Sequence, residues 1–513
     1  MRKVLVVCLV ALLGRMVLAH AAEAPRPVPT IHSDWNNVTG TVNTALSVEV
    51  FPQPLLRRES PIHDRLFRLL KDLGVDYPRA AAWFPFPRLS VAELEPPANG
   101  VTSWDFAQMD PWVADFFAAT AGHPVQMNFS TIPQWMFTTD KAVAYPQNPE
   151  EIAQKYGGGT QLRDPQLKEL TEYFTRLLQW YTKGGFVDEY GKPHRSGHHF
   201  RFDNWEVLNE PDVEHHLSPQ EYTRIYDAVV SALRRVDPQM TFCGLSLSDP
   251  GLEPEYFEYF LDPRNHRPGI PLDMISYHVY AIPDSDETPE MQERTFFAQT
   301  DAFVMNVRYI EGIRKRLSPH TKTYINEAGT FTPDPISLQP DIPDSYWNLS
   351  AAAFAHLYLE LARQGIDRVA MAELNDYPGL VTGTTMSDWK TGEPNARYWV
   401  LKLLHDTIGT GDSMVGTTID PREEKDWAGG LQLFDAQSFV SPARDRKLLV
   451  INKRNRPLEL RISGARGAQV LYVDVGTASH PPARRELETE MLTLKGYSVA
   501  VVQFAEGGSV GGH

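Results

Sequence analysis

Val207-Leu208-Asn209-Glu210-Pro211-Asp212-Val213 is an apolar run that stops on an Asn-Glu pair, with Pro211 ending the extended segment. The pattern predicts a strand that displays Glu210 at its C-terminal end. In a parallel barrel that edge is the face where functional side chains gather. Thr323-Tyr324-Ile325-Asn326-Glu327-Ala328-Gly329 repeats the arrangement and carries Glu327 out of an apolar run into an expected Gly turn. Working outward from these two, short β-rich runs fall at 45–51, 75–82, 124–130, 204–209, 241–246, 273–280, 323–327 and 368–374, with longer amphipathic stretches between them. Eight such runs predict an α/β fold, a (β/α)8 TIM barrel, with Glu210 on the fourth strand and Glu327 on the seventh.

The intervening stretches carry helix signals. Leu66, Leu69, Leu70 and Leu73 recur at helical spacing after Pro61, and Ser218-Pro219 opens a helix expected to run through Val236. Beyond Asp406 the chain changes to short strands without helical spacing, the pattern of a small C-terminal β-sandwich. At the other end, Arg2-Lys3 precedes an apolar stretch from Val4 to Leu13 and then the small-residue patterns Ala19-His20-Ala21 and Ala22-Glu23-Ala24. This reads as a secretory signal, too short to span a bilayer. The expected division is a signal peptide at 1–24, a catalytic barrel at 25–408, an accessory β-sandwich at 409–505 and a flexible Gly-rich tail at 506–513, in a protein that is secreted or periplasmic.

Composition narrows the partners. The 513 residues are 42% hydrophobic with a net charge of −16 and no long basic run, which argues against nucleic acid and anionic membrane surfaces and suits a neutral or weakly charged substrate. Cys8 lies in the signal, so Cys243 stands alone in the mature chain and no internal disulfide can form. The histidines at 194, 198, 199, 215 and 216 lack zinc-motif spacing, and neither a phosphate-binding Gly loop nor a nucleophile elbow is present, so no metal and no cofactor are expected. Sequons at Asn37, Asn128 and Asn348 decide nothing about function.

Two carboxyl groups at strand ends suit retaining glycoside hydrolysis, in which one protonates the leaving oxygen and the other attacks the anomeric carbon. Glu210 is the expected acid/base and Glu327 the expected nucleophile. Asn209 is placed to hydrogen-bond the hydroxyl next to the reacting carbon. A strand-end acid can also simply pair with an Arg; two of them on the fourth and seventh strands favour catalysis.

Asn209-Glu210-Pro211 and Glu327 resemble the corresponding elements of clan A retaining glycoside hydrolases. Ser103-Trp104-Asp105-Phe106, Leu272-Asp273-Met274-Ile275-Ser276-Tyr277-His278 and Tyr324-Ile325-Asn326-Glu327-Ala328 are similar to segments of glycoside hydrolase family 39, which holds β-xylosidases and α-L-iduronidases. The resemblance implies that Arg79 supports the nucleophile and that His278 and Tyr280 hydrogen-bond the sugar or the nucleophile. It also implies that Asn375 and Asp376 bind substrate. Where the iduronidase branch has a His and a uronate-binding Lys, this chain has Ala81 and Tyr280, so a neutral pentose or hexose is expected. Trp135, with Trp83, Phe84, Phe137, Tyr145, Trp347, Tyr377 and Trp389, is a candidate sugar-stacking ring at the barrel mouth. The expected partner is an oligo- or polysaccharide. A transglycosylase or a catalytically silent carbohydrate-binding protein on the same scaffold are the alternatives.

Overall fold

The computed structural model describes residues 28–139, 144–153, 160–251, 253–420 and 433–505. Eight parallel strands close into a barrel whose order follows the chain. They are β1 (Ala45–Val50), β2 (Arg79–Ala81), β3 (Gln126–Asn128), β4 (Asn204–Glu206), β5 (Thr241–Leu247), β6 (Met274–Ala281), β7 (Lys322–Thr330) and β8 (Arg368–Met371). β8 closes on β1, with Arg368 opposite Ala45 and Met371 opposite Val48. The helices between them use the signals written in the sequence. In His63–Leu73 the residues Leu66, Phe67, Leu69, Leu70 and Leu73 are buried and Gly74 ends the helix in the left-handed conformation. Pro219–Val236 begins with a full capping box, in which the Ser218 side chain accepts from the Glu221 amide and the Glu221 side chain accepts from the Ser218 amide.

Two strand ends differ from expectation. β4 stops at Glu206, and Leu208 and Glu210 then take positive φ angles of 63° and 39°, which turn the chain over the barrel rim. β7 does not turn at Gly329 but continues to Thr330, after a register shift between Ile325 and Glu327 against β6. Gly329 serves a close approach instead: a Cβ there would sit 3.1 Å from the Tyr280 ring and 3.3 Å from the Ala372 carbonyl oxygen.

The expected accessory β-domain is present: its nine strands are hydrogen-bonded into one continuous sheet that curls over its own apolar core. The strand Thr30–Thr41 belongs to it, pairing antiparallel with Ser413–Asp420 and parallel with Leu458–Ile462. Residues 30–41 therefore leave the expected barrel segment and join the accessory unit, a swap that the intervening 370 or so residues hide from local pattern reading. The sheet is pinned to the barrel helices by buried polar contacts. Glu293 accepts hydrogen bonds from Arg454 at 2.7 Å, from the Asn455 amide at 2.9 Å and from the Tyr497 hydroxyl at 3.0 Å. Cys243 is a buried free thiol. The expected signal peptide and tail lie outside the described residues, and among the described residues no helix is long and apolar enough to cross a membrane.

Candidate active site

A cavity of about 530 Å3 opens at the C-terminal end of the barrel strands and is lined by Glu210, Glu327, Asn209, His278 and Tyr280 among others. At its base Arg79 is fully buried and uses every donor it has. Its Nε donates to Glu206 at 2.6 Å, Nη1 to Glu49 at 2.5 Å and to Glu327 at 2.6 Å, and Nη2 to Asn209 Oδ1 at 2.6 Å and Ser246 at 3.3 Å. A guanidinium has five N–H donors in a fixed fork, so this arrangement fixes Glu327 and Asn209 relative to one another. Glu206 is in turn held by Asn128 at 2.6 Å, Ser276 at 2.7 Å and Asn326 at 2.7 Å.

His278 sits between the two strand-end acids. Its Nδ1 is 2.8 Å from Glu210 Oε1 and 3.3 Å from Glu327 Oε2, and its Nε2 meets the Ser246 hydroxyl at 2.9 Å. Tyr280 donates its hydroxyl to Glu327 Oε2 at 2.6 Å, and its ring stacks on Phe331 with centroids 4.5 Å apart. An oxygen of Glu210, an oxygen of Glu327 and a ring nitrogen of His278 all lie within 4.8 Å of one another.

The two acids are tuned in opposite directions. Burial alone would raise the pKa of Glu327, but His278, Arg79 and the Tyr280 hydroxyl overcome it and hold the group below the usual carboxylate range. For Glu210 burial wins over His278, and the nearby charge of Glu327 adds to it, so its pKa is raised. Burial would depress His278, yet the charges of Glu327 and Glu210 raise it, which favours an imidazolium donating to both acids.

The turn after Glu210 supplies a further contact. The amides of Val213 and Glu214 both donate to the Glu210 carbonyl, at 3.1 and 2.8 Å, which folds Glu214 back beside Asn209. Glu214 Oε1 then accepts from Asn209 Nδ2 at 2.9 Å and from the Trp83 indole at 2.8 Å. Asn209, held at both ends of its amide by Arg79 and Glu214, lines the cavity.

Not every expected residue reaches this cavity. Asn375 is buried against Gln53, Thr385 and Ser387. Asp376 accepts from the amides of Gly383, Thr384 and Thr385 and from the Trp389 indole, so both residues brace the loop after β8. Trp135 donates to the Glu93 carbonyl at 2.8 Å under the Arg163 guanidinium and does not line the cavity. Of the candidate rings only Trp83 lines it, joined by Phe51 and Phe331. Glu49 and Glu373 line it as well and were not expected. Their one signal in the sequence is a lone acid inside an apolar strand, as in Val48-Glu49-Val50.

The model of the family described as Glycosyl hydrolases family 39 matches residues 165–354. No curated protein matches the chain. Among solved structures, the fold is similar to a family 51 arabinofuranosidase from Xanthomonas axonopodis pv. citri, at 12% identity and TM-score 0.62 over 93% of this chain and 100% of that one. It is also similar to a family 39 β-xylosidase from Caulobacter crescentus, at 16% identity and TM-score 0.57 over 93% and 99%. A glucosidase from Croceicoccus marinus aligns at 16% identity and TM-score 0.58 over the same shares. By its matched region and its barrel-plus-sheet fold, the chain is a glycosidase similar to glycosyl hydrolases family 39.

Proposed function

We propose that the protein is a secreted retaining glycoside hydrolase that releases a neutral pentose or hexose from an oligo- or polysaccharide, in the manner of a β-xylosidase. The observation that carries the reading is the short separation of the two acids, whose nearest oxygens lie within 4.8 Å. Retaining pairs stand about 5–5.5 Å apart, whereas inverting pairs need about 6.5–9.5 Å to admit a water. In the first step the Glu327 carboxylate attacks the anomeric carbon while the bond to the leaving oxygen breaks and Glu210 gives that oxygen its proton. In the second, Glu210 takes a proton from water, the water oxygen attacks the anomeric carbon and the Glu327 ester bond breaks. The opposed pKa shifts suit these roles: a carboxylate ready to attack, and a carboxyl that keeps its proton.

The neutral-sugar reading rests on charge. Among the described residues no Lys or Arg lines the cavity, and all five donors of the buried Arg79 are already engaged. A uronate carboxylate placed here would face carboxyl groups without a free cation. Secretion rests on the signal-like N-terminus alone.

A screen of the mature protein against aryl β-D-xylosides, α-L-arabinosides, β-D-galactosides, β-D-glucosides and α-L-iduronides tests the reading, with Glu327→Gln as control. Turnover of a neutral glycoside that disappears in the variant supports it. Turnover of the iduronide alone, or unchanged turnover in the variant, refutes it.

A further inference from the structure

Glu214 is not among the residues that line the cavity, yet the two donors to its side chain, Asn209 at 2.9 Å and the Trp83 indole at 2.8 Å, both belong to residues that do. The two come from different parts of the barrel rim, Asn209 after β4 and Trp83 after β2. The turn that carries Glu214 is already held without its side chain. The Leu217 amide donates to the Pro211 carbonyl at 3.0 Å, and Asp212 accepts from the amides of Ser248 and Asp249 at 3.0 and 3.3 Å. Burial, then the nearby charge of Glu210, push the Glu214 carboxyl well above its usual range against the pull of Asn209 and Trp83. A neutral carboxyl therefore holds the two donors, and a glutamine amide can take its place.

We propose that Glu214 is a positioning residue for the sugar, fixing the Asn209 amide toward the hydroxyl next to the anomeric carbon and the Trp83 ring beside the same sugar. Asn209 Oδ1 is anchored by Arg79 at 2.6 Å and by the Ser246 hydroxyl at 3.2 Å. An amide anchored at its oxygen alone can pivot, and the bond from Nδ2 to Glu214 removes that freedom. Trp83 packs edge-on against Phe51 and Phe84, with ring centroids 5.2 and 5.1 Å apart. Ring contacts of this kind leave the indole free to slide, whereas its N–H bond to Glu214 sets its orientation. The two tethers have different kinetic consequences. A hydrogen bond to the neighbouring hydroxyl strengthens in the transition state, so a displaced Asn209 lowers kcat. A displaced Trp83 loses contact with the ground state as well and raises KM. The inference rests on the glycosidase reading and adds to it the group that orders the sugar-facing side chains.

The test is steady-state kinetics of the full chain, Glu214→Leu and Glu214→Gln on the preferred aryl glycoside and on its 2-deoxy analogue, repeated in a Trp83→Phe background. Glu214→Leu is expected to lower kcat about 10- to 100-fold on the parent glycoside. On the 2-deoxy analogue, which gives Asn209 no hydroxyl to meet, that loss should shrink to below about 3-fold. The same substitution should raise KM about 2- to 10-fold on both substrates, and no longer do so once Trp83→Phe has removed the indole N–H. Glu214→Gln, which keeps the accepting oxygen, should recover kcat and KM to within about 3-fold of the native chain. Glu214→Ala replaces the Leu variant if that variant fails to fold. Equal kcat losses on the two glycosides, or a KM rise that persists beside Trp83→Phe, would show only a brace of the turn and overturn the proposal. Native kinetics in Glu214→Leu, or a Gln variant as impaired as the Leu variant, overturns it too. A native chain that turns over no glycoside sinks the hydrolase reading and this inference with it, whereas an active chain with losses that ignore the substrate sinks the inference alone.

Discussion

Replacing Arg79 with Lys keeps the charge and removes the fork. Arg79 donates through three nitrogens to five acceptor groups, and a lysine presents one nitrogen with three donors. That nitrogen can stand near Glu49 and Glu327, which share Nη1, and then leaves Glu206 and Asn209 without their partner. Each lost charge-assisted bond is worth about 1.5–3 kcal/mol, and Glu206 keeps Asn128, Ser276 and Asn326 as partial compensation. A destabilisation of about 3–5 kcal/mol is expected, the range for breaking a buried ion pair. Activity should fall about 100-fold, because Asn209 loses its tie to the nucleophile. The acid limb of kcat/KM should move to higher pH, since Glu327 keeps less cationic support. Urea unfolding and a pH–rate series on the activated substrate measure both effects. A variant within about 1 kcal/mol of the native stability, with an unmoved acid limb, would refute the reasoning.

Tyr280→Phe keeps the stack on Phe331 but removes the hydroxyl from Glu327, so the acid limb of kcat/KM should rise while the alkaline limb, set by Glu210, stays in place; movement of the alkaline limb alone would contradict the assignment. Glu210→Ala should lose about 100- to 10,000-fold on substrates with poor leaving groups and far less in the first step on activated aryl glycosides, with the alkaline limb gone and azide restoring turnover. An equal loss across leaving groups would argue against general acid catalysis. At the junction of barrel and sheet, burial would lower the pKa of His356, but its bonds to Asp301 and Asp435 raise it. A raised folded pKa means that this stabilisation is complete below about pH 6.5 and is lost as pH climbs through the folded value. His356→Leu should therefore cost about 1–3 kcal/mol in urea unfolding at pH 6 and less at pH 9; the same cost at both would sink the linkage.

The barrel was readable because each strand is an apolar run bounded by Pro, Gly or Asn, and because capping at Ser218 and periodicity at Leu66 to Leu73 mark the helices. Glu210 and Glu327 were readable as acids at the ends of such runs. The strand Thr30–Thr41 was not, since its partners lie some 370–430 residues away and nothing local specifies them. Asn375 and Asp376 sit at a strand end like Asn209 and Glu210, yet backbone amides that no sequence pattern records turn Asp376 inward. Glu49 and Glu373 were missed for the opposite reason: an acid within an apolar strand looks like an interruption until barrel closure places it in the cavity wall.

The stereochemical course of the first product formed from the preferred aryl glycoside tests the central claim most directly, followed by proton NMR before mutarotation. The 4.8 Å grouping of Glu210, His278 and Glu327 is too close for a nucleophilic water between Glu327 and the anomeric carbon, so the product should carry the anomeric configuration of the substrate. Inverted configuration in that first product would contradict the covalent intermediate on Glu327 and the account built on it.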